Sequence, residues 1–295
     1  MRLTPDELAA RAEEAGSLLS ECCLCGHECR IDRLGGEKGV CGAGDVAVIS
    51  GYGPHFGEES VLVGTGGSGT IFFSRCNLRC VFCQNWEISA LGEGDPVTPE
   101  ELAEIMLDLQ RQGCHNINLV SPTHYVPQIL EALSLAAGKG LDLPIVYNTG
   151  GYDHLDTLKV LDGVIAIYMP DIKFGDDETA RRYTGVKDYF TVAKKAVKEM
   201  HRQVGDLVVD EHGIAVRGLL VRHLVLPNGL AGTETVMEFL ANEVSPRTYI
   251  NIMDQYYPAY FAHRYPELSR RVTGAEYLEA LRATRKASPH FRLAD

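Results

Sequence analysis

Three cysteines fall within eight residues of the segment "FFSRCNLRCVFCQNW" (72–86): Cys76, Cys80 and Cys83, at spacings of four and three. A structural zinc site normally takes four protein ligands, and the local loop offers no fourth Cys or His. Disulfide exchange uses two thiols and leaves the third surplus. An iron–sulfur cluster of the four-iron kind has four irons, so three thiolates leave one iron open to a cofactor. That third use accounts for the missing ligand.

A second group of thiols precedes the first. "CCLCGHECRIDRLGGEKGVCG" (22–42) holds Cys22-x2-Cys25-x3-Cys29-x11-Cys41, with Cys23 extra and His27 within reach. Four thiolates at these separations suit a closed tetrahedral zinc or a second iron–sulfur cluster, and spacing does not choose between them. Scattered free thiols are the plainer alternative. Cys114 stands alone, and a buried inert thiol is the default for it and for Cys23.

These groups need a frame. The chain has 295 residues, 45% of them hydrophobic, enough for one large domain or one domain with a small appendage. No run of roughly 18 apolar residues suggests a membrane span. The start, "MRLTPDELAARAEEAG", is charged and helical rather than a secretory leader, so a cytoplasmic location is expected. In that compartment nine cysteines point to metal or redox chemistry before disulfides. A net charge of −12 argues against a large nucleic-acid surface.

Thr4-Pro5-Asp6-Glu7 reads as a capped helix start, and residues 22–66 read as a metal-held knot rather than a packed layer. After Gly69, short apolar runs alternate with helical patterns. The runs are "TIFFS" (70–74), "INLVS" (117–121), "PIVYN" (144–148), "VIAIYM" (164–169), "LLVRHLVL" (219–226) and "TYINIM" (248–253). Helices are expected near 98–112, 125–138, 153–161, 187–203, 233–243 and 274–288. Such alternation means an α/β fold of parallel strands with helical crossovers. Six units are too few for a closed eight-stranded barrel, but suit an open barrel or a doubly wound sheet. Three segments are expected: 1–66, helix and Cys-rich extension; 67–255, the strand–helix body; and 256–295, an aromatic stretch and final helix.

Cys76-x3-Cys80-x2-Cys83, with Phe82 before the last Cys and the strand "TIFFS" ahead of the loop, resembles the signature of radical S-adenosylmethionine (SAM) enzymes. The resemblance implies a partial (β/α)6 barrel, a [4Fe–4S] cluster on the three cysteines, SAM on the open iron, and Phe82 near the adenine. The amino-terminal cysteines, "GSGTIFFSRCNLRCVFCQN" and "NIMDQYYP" together are similar to a subgroup related to pyruvate formate-lyase activating enzymes. In that branch the second strand ends in a Gly/Glu-rich segment that receives the SAM amino group. Ser121, Thr123 and His124 of "LVSPTHYVP" stand there instead, with helix capping as their alternative role. "YNTGGYD" places Asn148 and Thr149 near a Thr-Asn-Gly segment in reversed order. "MPDIKFGDD" resembles an Asp-x-Lys, with Lys173 beside Asp171 and facing the SAM carboxylate; a surface ion pair is the alternative. Arg222 of "VRHLVLPN" is a substrate or cofactor contact, or an ion-pair partner. "NIMDQYYPAYFAHRYP" is a lid or packs against the barrel end.

The resemblance further implies reductive cleavage of SAM to methionine and a 5′-deoxyadenosyl radical. The expected hydrogen donor is a backbone glycine of a glycyl radical enzyme, served by an electron donor such as flavodoxin or ferredoxin. A small molecule, peptide or RNA is the alternative donor, and a non-enzymatic iron–sulfur electron carrier or sensor the remote one.

Overall fold

The computed structural model describes residues 3–294. In chain order its first half comprises α1 (Pro5–Ser17), β1 (Ala47–His55), α2 (Ser60–Val63), β2 (Ser68–Phe73), β3 (Asp95–Val97), α3 (Pro99–Arg111), β4 (Ile117–Val120), α4 (Val126–Gly138) and β5 (Ile145–Thr149). The second half comprises α5 (Leu155–Val160), β6 (Ile167–Pro170), α6 (Asp177–Thr184), α7 (Tyr189–Val204), β7 (Val208–Val209), β8 (Ala215–Leu224), α8 (Thr233–Phe239), β9 (Tyr249–Met253), α9 (Gly274–Ala287) and β10 (Arg292–Leu293). Reciprocal capping boxes open three helices: Thr4 with Glu7, Thr98 with Glu101, and Thr273 with Glu276.

The six expected strands are β2, β4, β5, β6, β8 and β9, all parallel and each hydrogen-bonded to the next. A doubly wound sheet reverses its strand order partway. Here the order never reverses, and right-handed crossovers then place the connecting helices on one face and curl the sheet into an open partial barrel. The short β10 joins β9 in parallel, β7 joins β8 antiparallel, and β1 and β3 extend the opposite edge antiparallel.

The short α2, β3, β7 and β10 were not expected from the sequence, nor were two longer elements, β1 and α6. Residues 47–55 form the sheet strand β1 although glycines and a proline obscure their alternation. The charged "DETARRYT" forms α6 because Asp176 accepts the Thr179 N–H at 2.7 Å and closes its amino end.

The inner face of the sheet changes character along its length. Leu62 of α2 packs with Val146, Ile167, Leu220 and Tyr249 as an apolar floor. Side chains two residues apart on a strand share a face. Two positions on, β5, β8 and β9 therefore present Asn148, Arg222 and Asn251, while β6 keeps the buried Met169 and turns polar at Asp171. Burial below and polarity above put the reactive groups at the carboxyl ends of the strands. No helix among the described residues is long and apolar enough to cross a membrane.

Candidate active site

The loop after β2 carries Cys76, Cys80 and Cys83 over the mouth of the barrel. The Leu78 N–H donates to Cys76 Sγ at 3.4 Å, and Cys83 Sγ lies 3.1 Å from Ser89 Oγ. Asn77 Nδ2 donates to the Tyr152 carbonyl at 2.9 Å, and His27 Nε2 donates to the Asn77 carbonyl at 2.8 Å. Arg79 Nη2 donates to the Val40 carbonyl at 2.6 Å, which ties the loop to the Cys-rich segment. Burial pushes the Cys76 thiol up to about 11 and Cys80 to about 12, against the pull of the Lys173 ammonium. Neither thiol ionises near neutrality unaided; a metal would have to displace the proton.

Below the loop lies a cavity of about 290 Å³ lined by all three cysteines and Phe82. Ser121, Asn148, Thr149, Asp171, Lys173 and Arg222 reach it from four successive strand ends. Phe82 is buried edge-on to Phe174 and Tyr256, with centroids 6.0 and 5.9 Å away. A hollow of about 550 Å³ on the far edge, between β1, β3 and α3, is lined by no Cys, Lys, Arg or His.

Asp171 organises the polar end of the cavity. Lys173 Nζ donates to its Oδ2 at 2.6 Å and Arg222 Nε to its Oδ1 at 2.7 Å. Arg222 also reaches Asn148 Oδ1 at 2.8 Å and Glu58 Oε2 at 3.2 Å. Burial opposes the charge on Asp171, but Arg222 and Lys173 outweigh it and hold the carboxyl at about 2. The pair therefore lines the cavity, its side chains 17–20% exposed, rather than standing on the open surface, and Arg222 is at once an ion-pair partner and a wall of the cavity.

Thr123 and His124 stand behind that wall, outside the cavity lining. Thr123 and Thr149 hydroxyls each donate to the buried Asp153 at 2.8 Å, as does Tyr147 at 2.9 Å. Burial raises the Asp153 carboxyl, and these hydroxyls oppose the rise. His124 Nε2 donates to the Ser74 carbonyl at 2.9 Å, and burial lowers its ring to about 4, so it is neutral. No side chain caps the turn at 123–125 or α4; instead Ser121 takes a left-handed φ of 57° and its N–H bonds the Asn148 carbonyl at 2.8 Å.

Three residues of the site carry no mark in the sequence: Glu58, Asp153 and Tyr189. Tyr189 OH accepts the Lys173 N–H at 2.9 Å, and its proton points to the carbonyls of Gly150 and Asp171, at 2.8 and 2.9 Å. It pins β5 to β6 directly beneath the cavity. The segment 253–261 lies against the cysteine loop and the edge of the cavity. The Phe261 N–H bonds the Val81 carbonyl at 2.8 Å, Tyr260 stacks on Trp86, and Met253 and Gln255 line the cavity.

Among the described residues no three His, Cys, Asp or Glu side chains are gathered closely enough to grip a single metal ion. That includes both cysteine groups. The triad's fit to a cluster rests on its three thiols lining one cavity, on the N–H···S bond to Cys76 and on the cationic Lys173 nearby. Cys41 meets the triad across a second cavity of about 90 Å³. Cys114 is buried in the apolar core, and Cys23 is half-buried near Arg30.

A family model described as "Radical SAM superfamily" matches residues 70–214. The chain is 34% identical over 292 residues to the uncharacterized protein MJ0674 of Methanocaldococcus jannaschii, spanning 96% of this chain and 79% of that one. A second uncharacterized protein of that organism, MJ0808, is 27% identical over 165 residues, 48% of this chain and 46% of its own. Among solved structures, Streptococcus suis SuiB bound to S-adenosylmethionine superposes with a TM-score of 0.51 at 13% identity, over 75% of this chain and 48% of SuiB. HydG, a maturase of the [FeFe]-hydrogenase, gives 0.51 at 13% identity, over 74% and 49%. This chain thus spans about half the length of those two proteins, and the likeness is one of fold. The chain belongs to the radical SAM superfamily.

Proposed function

We propose that this chain binds SAM in the cavity beneath Cys76, Cys80 and Cys83, cleaves it reductively, and directs the resulting radical at a backbone glycine of a protein partner. The observation that supports this reading is the meeting of the three thiols with Asn148, Thr149, Asp171, Lys173 and Arg222 around one cavity. When bound, a reduced four-iron cluster and SAM supply a 5′-deoxyadenosyl radical able to take a hydrogen atom. The chain's own residues bind and orient. Lys173, held by Asp171, offers a cation to the SAM carboxylate; the Ser121 hydroxyl and neighbouring carbonyls accept from its ammonium. Phe82 offers an aromatic edge to the adenine, and Met253 and the aromatic stretch exclude water. A small electron donor of the flavodoxin or ferredoxin kind serves as reductant. The test is anaerobic incubation of reconstituted, reduced protein with SAM and candidate partners, read by electron spin resonance. A glycyl doublet supports the reading; 5′-deoxyadenosine formed without any partner radical counts against the glycine.

A second reading has its own observation. Asn118, fully buried, has no partner for either amide atom, and Glu59 Oε2 has none although Asn251 donates to its other oxygen at 2.9 Å. Asn118 shares a sheet face with Asn116, which bonds the Leu62 carbonyl of α2, so it points to the interior. Unpaired polar atoms of that kind await a partner. They favour a small polar substrate inside the barrel, and deuterium transfer from a labelled metabolite into 5′-deoxyadenosine is the outcome that would choose it.

A further inference from the structure

Arg33 is a buried cation without a carboxylate. Its side chain is 1% exposed, and its partners are the Gly44 carbonyl, the His124 carbonyl at 2.8 Å and Cys22 Sγ at 3.9 Å. No Asp or Glu lies within ion-pair distance of it among the described residues, whereas the half-buried Lys173 and Arg222 are paired. A guanidinium does not shed its proton, and an uncompensated charge in the interior is costly. Some anion must therefore face Arg33, and the group at hand is sulfur.

The thiols around it are brought together by the backbone. The Cys22 N–H bonds the Ile31 carbonyl and the Arg30 N–H the Cys22 carbonyl, both at 2.9 Å, which carries Cys29 alongside Cys22. The Glu28 N–H bonds the Cys25 carbonyl at 3.0 Å and closes the turn from Cys25 to Cys29. The chain turns tightly to set these up: Glu28 and Arg30 on either side of Cys29 have φ of 41° and 51°. Gly39 sits so close to Cys29 that a Cβ there would meet Sγ at 2.8 Å. The four cysteines also share one neighbourhood, because the carbonyl of Gly39, against Cys29, bonds the Gly42 N–H at 3.0 Å and so turns the chain at Cys41 back beside Cys29.

We infer that Cys22, Cys25, Cys29 and Cys41 hold a second metal centre, of four thiolates around a divalent core, and that Arg33 is its built-in counter-charge. The core is a zinc ion or an iron–sulfur cluster of the same charge. On binding, each thiol loses its proton to solvent and four thiolates on a 2+ core leave two negative charges, which Arg33 half offsets. The thiols do not converge on one point as they stand, but a cysteine closes by turning about its single χ1 torsion. The Cys-rich segment is fixed to the catalytic loop through Arg79 and His27 and to β5's end by Cys25 pairing with Asp153. A metal there would hold the wall of the active site in place.

The test uses the full chain with C76A, C80A and C83A combined, so that the catalytic cluster cannot form. Produced anaerobically, this variant is analysed for zinc, iron and acid-labile sulfide and by native mass spectrometry. The expected result is one centre per chain, with a mass increment that reports protons displaced from the thiols. Zinc alone identifies the first core; iron with sulfide identifies the second. C25A added to the triple variant removes the centre; C23A and C114A do not. R33M keeps the fold's volume and speeds loss of metal to a chelator at least tenfold. A triple variant that folds, by circular dichroism, but holds no metal overturns the inference. So does metal that survives C25A, or C41A in the otherwise native chain stripping iron from the catalytic triad alone.

Discussion

Arg222 Nε lies 2.7 Å from Asp171 Oδ1, so that one carboxylate bridges two largely buried cations, Arg222 and Lys173, while Glu58 at 3.2 Å from Arg222 supplies a second negative charge. Removing one member of a buried ion group costs more than the group contributes, because the others stay charged; the usual cost is about 3–5 kcal/mol. D171N is therefore expected to lower the denaturant midpoint of unfolding markedly and to weaken SAM binding by calorimetry. The double variant D171N/R222M, with one cation gone, should recover part of the stability. If both single and double variants unfold with the native midpoint, the network is ornamental.

Tyr189 is the complementary case, a neutral group whose single hydroxyl serves one N–H and two carbonyls under the cavity. Y189F keeps the ring and its packing but leaves those backbone groups buried and unpaired, at a cost of about 1–3 kcal/mol. Because Lys173 loses its anchor, SAM binding should weaken several-fold while cluster content, measured as iron and sulfide per chain, stays native. An unchanged affinity would show that Lys173 is positioned by Asp171 alone.

These two residues show what the sequence could and could not disclose. The six parallel strands were legible because strands buried on both faces read as continuous apolar runs, and two helices announced themselves through capping boxes at Thr4 and Thr98, while the box at Thr273 went unread. The cysteine loop was legible from spacing, and Asp171–Lys173 from its resemblance to the Asp-x-Lys of the activase branch at a strand end. Tyr189 was not, since a tyrosine in the first turn of a helix reads only as core. Glu58 meets Arg222 across 164 positions of chain and Asp153 meets Thr123 across 30, pairings no local pattern encodes. Arg33 was hidden by its surroundings: among so many charges near the Cys-rich segment, nothing marks the one that is buried. Nor did the strand end at Ser121 reveal its left-handed turn, which sends Thr123 and His124 behind the cavity wall.

Burial of His223 ties stability to pH. Its Nδ1 donates to the Ile172 carbonyl at 2.7 Å and its Nε2 accepts from Thr233 at 2.9 Å, so the ring is neutral, and burial lowers its pKa to about 4. An unfolded histidine titrates near 6.5. Between about pH 6.5 and 4 the unfolded chain takes up a proton that the folded chain refuses, so stability is full above 6.5 and falls as pH drops. The slope is about 1.4 kcal/mol per unit for each such histidine. His124 acts alike. Urea midpoints at pH 7.5, 6.5 and 5.5 should decline in the native chain. H223N, which preserves a donor toward Ile172, should start lower and decline less steeply; parallel curves would mean that His223 does not titrate between the two states.

Cys80 and Cys114 offer the sharpest contrast, because both are buried thiols and only one faces the active-site cavity. Cys80 lines it with Cys76 and Cys83, and all the charge that perturbs it comes from the site: Lys173, the two other thiols and Asp171, after burial. Cys114 lies between α3 and β4 in the apolar core, and burial with a backbone bond accounts for its environment. C80A should lose about a third of the thiolate ligands needed for the catalytic cluster, and with them the charge-transfer absorption of reconstituted protein and all formation of 5′-deoxyadenosine above background. C114A should form 5′-deoxyadenosine within about twofold of the native rate, at a small cost in stability from the lost sulfur. The two variants must be compared at equal folded fraction, by circular dichroism, since a core cavity can lower activity by unfolding alone. If both lose cleavage equally while folded, the cluster ligands are not the three cysteines of the first loop.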